Sequence, residues 1–281
     1  MSANIESRFV TVDGLRLHYL EGGSGDPVLL LHGWPTSAFL WRNVAPAIAA
    51  HNRVLALDLP GFGKSDKPLD VSYSFRFFTD ILDGFLEAVG VDRVSLVVHD
   101  LGGPVGLHWV SQHPERLQRL ALLNTLVYSN PSWAVILFMT AARLPLVSSL
   151  LASPAGLRFA MWIGVTDQTR LTDDVMRGVQ EPFETADAQT ALLKAAQGLN
   201  PAGFKEIERV LPTLKIPVRA IYGERDWILP DVAQTMKRVA EDLPQTQVTA
   251  LPDCGHFLQE EQPEEVGRLL AGFLGGVRRA S

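Results

Sequence analysis

Three residues far apart in the chain, Asp100, Asp226 and His256, are the ones whose types and order could do chemistry. Each follows a short run of aliphatic and β-branched residues, at 94–98, 218–222 and 246–251, so each would stand just beyond the end of a strand. Around the first, the chain reads Val-Val-His-Asp-Leu-Gly-Gly-Pro, and an apolar run then continues to His113-Pro114. That is a buried strand, a sharp turn carrying Asp100, and a helix with Pro104 in its first turn. Taken alone, the stretch fits two readings equally: Asp100 caps the helix, or it is a nucleophile displayed at the turn with helix N–H groups behind it. The partners separate them. The chain order nucleophile, acid, histidine, with all three at strand ends, is what a shared site requires.

An aspartate nucleophile implies a particular reaction. A carboxylate attacking a saturated carbon displaces a leaving group and becomes an alkyl ester. Water activated by His256, which Asp226 orients, can hydrolyse that ester at the carboxyl carbon. A serine attacking the same carbon would leave an ether that no histidine could clear. The oxyanion donors expected are the backbone N–H groups of Leu101 and of Trp34, in the His32-Gly-Trp-Pro loop. His32 and His99 are expected to shape the loops around the site. Asn124, after the strand at 120–123, carries no charge and cannot serve as the anionic partner of His256. Neither cofactor nor metal is expected, only a small apolar organic substrate and water.

The elements that would position these residues follow from the pattern. Asp13-Gly14 joins apolar runs at 9–12 and 15–20 as a hairpin. Buried strands are expected at 28–31 and 53–57, with a helix at 40–50 between them. Phe78, Ile81, Leu82, Phe85, Leu86 and Val89 give a helix over 75–89, stopped by Gly90. Beyond the strand at 120–123 the alternation stops. Residues 125–200 are helical in pattern, broken at Pro131, Pro145, Pro154 and Pro182. Strand and helix then alternate again, with helices at 232–241 and 263–274. The fold class expected is α/β, with a mostly parallel sheet. Its core comprises 1–124 and 201–281, and an inserted helical lid at 125–200 covers the sheet edge where ligands bind.

Composition narrows the function class. The chain has 281 residues, 47% of them hydrophobic, enough for a large core. Its net charge of −6 is scattered rather than blocked, which argues against nucleic acid or an anionic membrane as partner. Cys254, the single cysteine, permits no intrachain disulfide and suits a reducing compartment; beside His256 but away from the turn, it is read as structural. With no signal-like N-terminus, a cytoplasmic location is expected. The apolar stretch 133–151 contains Arg143 and Pro145 and reads as a helix pair of the lid rather than a span. Gly63-Lys-Ser65 is not a phosphate loop, because Asp58 stands where that motif needs glycine and Asp-Lys-Pro68 where it needs a helix. Oligomeric state is not encoded in any pattern found.

Four stretches together resemble one family: His32-Gly-Trp-Pro-Thr-Ser with Leu40-Trp-Arg-Asn, Gly61-Phe-Gly-Lys-Ser-Asp-Lys-Pro68, His99-Asp-Leu-Gly-Gly, and Gly255-His-Phe-Leu-Gln-Glu. They are similar to the haloalkane dehalogenase and epoxide hydrolase branch of the α/β-hydrolase superfamily, over nearly all of the chain outside the lid, and lean toward the dehalogenases. The resemblance implies an aspartate nucleophile and a carbon–halogen substrate. An epoxide hydrolase is the alternative, and a hydrolase-fold binder with little turnover a further one. The chain departs from the family at two points. Typical relatives carry a halide-binding tryptophan where this chain has Leu101, and many carry Asn or Glu where it has Trp34. The indole of Trp34, or those of Trp133 or Trp162 from the lid, could replace the lost donor. Trp133, Phe138, Met139 and Trp162 are the expected pocket residues. Epoxide hydrolases usually use two lid tyrosines, and here only Tyr128 borders the lid. Fluoroacetate dehalogenases carry arginines where Leu101 and Pro104 stand, which disfavours a haloacid.

Overall fold

The computed structural model describes residues 4–275. One eight-stranded sheet forms its centre, from β1 (Ile5–Val12), β2 (Leu15–Gly22), β3 (Pro27–Leu31), β4 (Arg53–Leu57), β5 (Val94–Asp100), β6 (Leu117–Thr125), β7 (Val218–Gly223) and β8 (Thr246–Leu251). The strands lie in the order β1-β2-β4-β3-β5-β6-β7-β8. Only the β1–β2 and β2–β4 pairs are antiparallel; β4, β3 and β5 to β8 run parallel. The hairpin at Asp13-Gly14 forms as expected, both residues having positive φ, 48° and 80°.

The buried strands alternate their side chains between two apolar layers. Leu29, Leu31, Leu55 and Leu57 face one cluster, shared with α2 (Phe75–Ala88) and α3 (Gly102–Gln112). Val28, Leu30, Val54 and Ala56 face the other, shared with α1 (Ala45–Ala49) and α12 (Pro263–Leu274). Covered on both faces, these strands need apolar residues at every position, which is why they read as continuous runs. The helix expected at 40–50 is instead a 3-10 turn, Ala38–Trp41, followed by the short α1. Pro46 explains the break: it donates no N–H, so a helix can begin at it but not run through it. The strand expected at 120–123 extends to Leu117–Thr125.

Between β6 and β7 lie α4 (Trp133–Ala141), α5 (Pro145–Leu151), α6 (Pro154–Gly164), α7 (Asp173–Gln180), α8 (Ala186–Gln197) and α9 (Pro201–Val210). Their shortness is written in the sequence. Ser132, Ser153, Thr172, Thr185 and Asn200 accept hydrogen bonds from N–H groups of the first turns of α4, α6, α7, α8 and α9, and prolines open α5, α6 and α9. The apolar stretch at 133–151 is accordingly two helices. No described helix is long and apolar enough to cross a membrane. After β7 come α10 (Val232–Asp242) and, beyond β8, the single turn α11 (Leu258–Glu261) ahead of α12.

Strand order reverses at β3, whose neighbours are β4 on one side and β5 on the other. The chain leaves both β3 and β5 at the same edge, so a crevice opens there, the usual place for a ligand in such sheets. Trp34 follows β3 and Asp100 ends β5.

Candidate active site

Asp100 sits at that crevice in a left-handed backbone conformation, with φ 49°. Such a conformation costs a non-glycine residue on the order of 1–3 kcal/mol and must be held by its surroundings. The hydroxyl of Thr125 donates to the Asp100 carbonyl at 2.6 Å, and the β5–β6 register shifts between His99 and Asp100. Two glycines make room for the turn. A Cβ on Gly33 would collide with the Asp100 side chain, and one on Gly103 with Thr125. The carboxylate is thus thrust up from the strand, and its two oxygens are distinguished. Oδ1 accepts the Trp34 backbone N–H at 2.7 Å, while Oδ2 lies 3.5 Å from Nε2 of His256. The Leu101 N–H also bonds to this carboxylate.

His256 is fully buried in the turn after β8. Its Nδ1 lies 2.8 Å from Oδ2 of Asp226, itself in the turn after β7. Asp226 is held from every side: the N–H groups of Ile228 and Leu229 donate to Oδ1 at 2.8 Å each, and Asn124 Nδ2 donates to Oδ2 at 2.7 Å. Burial alone would raise the Asp226 pKa, but the charge and hydrogen bond of His256 and these N–H donors bring it below the usual carboxylate value. Burial opposes the His256 cation too. The charge of Asp226 and the attraction of Asp100 nevertheless push its pKa up to about 10. Asp100 is itself lowered: the desolvation that would raise it is outweighed by His256, with a further contribution from the Leu101 N–H. These directions favour a carboxylate–imidazolium–carboxylate array in which Asp100 Oδ2 faces His256 Nε2.

The structure thus brings Asp100, Asp226, His256, Trp34 and Leu101 together at one edge of the sheet. His32 and His99 brace the loops. His32 Nδ1 bonds the Gly33 carbonyl at 3.0 Å and its Nε2 accepts the Leu59 N–H at 3.1 Å, while His99 Nε2 reaches the His256 carbonyl at 3.0 Å. Burial, then the neighbouring His256, takes the His99 pKa down to about 3, so it stays neutral. Burial pushes the Cys254 thiol up to about 12, far from a nucleophilic thiolate.

Two expectations about the lid need correction. Trp133 and Trp162 leave 68% and 51% of their surface exposed, so neither indole is enclosed over Asp100. Trp162 stacks on the equally exposed Phe159. Nothing in the sequence says which side of α4 turns inward, because the helix is apolar all round and none of its residues is buried. Phe138 is the expected lid residue found beside the crevice, its ring edge-on to Trp34 at 4.9 Å, and Met139 is half-buried. Among the described residues the indole Nε1 of Trp34 is buried without a hydrogen-bond partner, as is that of Trp41. A buried donor without an acceptor is uncommon and calls for an explanation.

Sequence reasoning missed two supports. Asn124 is the second brace of Asp226, and its Oδ1 accepts the Gly223 N–H at 3.0 Å, tying β6 to β7. Glu261, at the end of the His-Phe-Leu-Gln-Glu-Glu stretch, accepts the N–H of Gly255 at 2.6 Å and that of Thr166 at 2.7 Å. The His256 N–H meanwhile donates to the Gly164 carbonyl at 2.7 Å, so the histidine turn is clamped to the end of α6. The run of acids after His256 was the available signal, but their partner lies in another element.

Comparison with known proteins shows the family of the chain. A family model described as alpha/beta hydrolase fold matches residues 26–263. A haloalkane dehalogenase of Sphingobium indicum is 32% identical, covering 98% of this chain and 97% of its own. A soluble epoxide hydrolase of Corynebacterium is 28% identical, covering 95% and 96%. Among solved structures, haloalkane dehalogenase DbeA from Bradyrhizobium elkani superposes with a TM-score of 0.88 at 27% identity, covering 99% of this chain and all of its own.

Proposed function

The chain belongs to the α/β-hydrolase fold family, and on that premise we propose that it is a haloalkane dehalogenase-like hydrolase working through an alkyl ester on Asp100. The observation that carries this reading is the nucleophile itself. An aspartate occupies the strained turn, with one carboxylate oxygen held by backbone N–H and the other open beside a buried histidine. Oδ2 attacks the substrate carbon from the side opposite the leaving group and the carbon–halogen bond breaks. The halide departs with the bonding pair and accepts the Trp34 Nε1–H, which has no other partner.

Alkylation removes the negative charge of Asp100. One of the two anions that keep a proton on His256 is then gone, while burial goes on opposing the cation. The imidazolium gives up its proton to solvent water and becomes a base only after the ester has formed. It then takes a proton from water as the water oxygen attacks the Asp100 carboxyl carbon. Negative charge develops on Oδ1, where the Trp34 N–H already points. Collapse of this intermediate releases the alcohol and regenerates the carboxylate. Residues 125–200 act as the lid, with Phe138 against Trp34, and the substrate is a small apolar organic halide.

The epoxide alternative needs an acid to protonate the opening ring oxygen. The Tyr128 hydroxyl donates to Asp242 at 2.8 Å and that of Tyr73 to the Pro68 carbonyl at 3.0 Å, so neither is directed to the crevice. The deciding experiment measures halide release from a panel of haloalkanes beside diol formation from a panel of epoxides. Halide release is expected; diol without halide would transfer the protein to the epoxide class, and inactivity on both would favour the binder. For the mechanism, His256→Gln should leave substrate attached to Asp100, seen as a mass increase on the peptide that contains it. An unmodified Asp100 in a variant that still consumes substrate would sink the covalent route.

A further inference from the structure

Large apolar side chains exposed to solvent gather in one stretch of the chain, residues 133–162. Trp133, Ile136 and Leu137 project from α4, Leu146 and Leu150 from α5, and Phe159 and Trp162 from α6, with Leu144 in the link between α4 and α5. Their exposures run from 51% to 89%. Each set follows helical spacing, i, i+3 or i+4, so each forms a row along its helix. The α5 and α6 helices pack on each other, and Phe159 stacks on Trp162. Trp227, 73% exposed, extends the patch at its edge, because the neighbouring Ile228 lies against Gly164 at the end of α6. The α4 helix has no buried residue and no charged one. A helix apolar on all sides is normally covered by something.

We propose that α4 to α6 form a docking face for an anionic lipid surface, on which the helices lie without crossing it. Charge selects this occupant. From residue 126 to residue 166 the chain contains no Asp or Glu, and its only charged residues are Arg143 and Arg158, both exposed. This stretch of a chain of net charge −6 thus carries cations only. Arg158 lies 3.9 Å from Asp173, but both side chains are largely in water and the contact is weak. Self-association through a two-fold axis would set this stretch against its own copy, bringing arginines together with Asp173, beside Arg158, the acid nearest to pair them. A bilayer of anionic headgroups supplies both needs, acyl chains for the Leu, Ile and Phe rows and phosphates for the arginines, with tryptophan at the boundary. The proposal departs from the expectation of no membrane partner, which rested on charge counted over the whole chain. It does not depend on the reaction at Asp100.

The test is sedimentation of the full chain with vesicles of phosphatidylcholine alone and of equimolar phosphatidylcholine and phosphatidylglycerol. Expected are binding to the mixed vesicles, weaker binding to the neutral ones, and a blue shift of tryptophan emission on binding. The double variant Leu146→Glu/Leu150→Glu should lose at least about tenfold in partitioning. Arg143→Gln should lose roughly fivefold for the mixed vesicles only. These side chains are exposed, so unchanged thermal unfolding serves as the folding control. Absence of binding to either vesicle, or binding that the double variant does not weaken, would overturn the proposal. So would a concentration-dependent dimer that the double variant dissolves, which would assign the face to a second copy.

Discussion

Replacing Trp34 with Phe removes one indole N–H while leaving an aromatic ring against Phe138 and the backbone N–H on Asp100 Oδ1 in place. The donor is buried and unpartnered, so its loss has two separable effects. A hydrogen bond to a charged acceptor contributes about 1.5–3 kcal/mol; if the halide takes that bond as it leaves, alkylation of Asp100 should slow by about 10- to 150-fold. On the folded resting protein the balance differs. The smaller ring forfeits about 1 kcal/mol of burial, and deleting an unsatisfied donor returns a similar amount. Net stability should therefore move by less than about 1 kcal/mol, or about 2–3 °C in unfolding temperature. Rapid-quench measurement of the covalent adduct gives the first rate, and calorimetry gives the second. The slowing should be larger for chloride than for iodide leaving groups, because chloride holds its charge more compactly and accepts a hydrogen bond more strongly. An alkylation rate unchanged within about threefold, or a loss of rate that tracks a large loss of stability, would refute the assignment of Trp34 as leaving-group donor.

Two further outcomes follow from the same geometry. The His256 pKa, at about 10, lies above its ordinary 6.5, so the stability it contributes is complete below pH 6.5 and is lost as pH rises through 10. Asp100 and Asp226 lie below their ordinary 3.8, so their contribution is present above that value and is lost as pH falls beneath it. Unfolding temperature should accordingly be highest between these limits, and His256→Gln should flatten the alkaline decline; an unchanged decline would refute the charge state assigned to the site. Gly33→Ala should abolish adduct formation, because its Cβ would collide with the Asp100 side chain. Gly90→Ala, strained at φ 70° but with open space around it, should cost about 1 kcal/mol by denaturant unfolding and leave activity intact. Equal activity in the two variants would contradict the tight seating of Asp100.

Much of the core was legible because burial writes itself into local sequence. Runs such as Val28 to Leu31 and Arg53 to Leu57 are strands covered on both faces, and their periodicity needs no knowledge of the rest of the chain. Asp100, Asp226 and His256 could be picked out for the same reason: each stands beyond the end of such a run or at it. The helix breaks in the lid were marked by prolines and by Ser, Thr and Asn caps. The orientation of those helices was not, since an evenly apolar helix such as α4 carries no asymmetry to read, and Trp133 and Trp162, expected at the pocket with Phe138 and Met139, are exposed.

The sequence by itself determined the strands, the turn at Asp100 and the kind of reaction a carboxylate there can begin. Tertiary structure decided how the charges of the site are shared. Distances between Asp100, His256 and Asp226 depend on the parallel order of β5, β6, β7 and β8 and on braces from Asn124 and Glu261, whose partners lie in other elements. It also decided that the Trp34 indole N–H is buried without a partner among the described residues and that the apolar rows of α4 to α6 face solvent. Local pattern reports whether a residue is apolar or polar; only packing between distant segments determines what it touches.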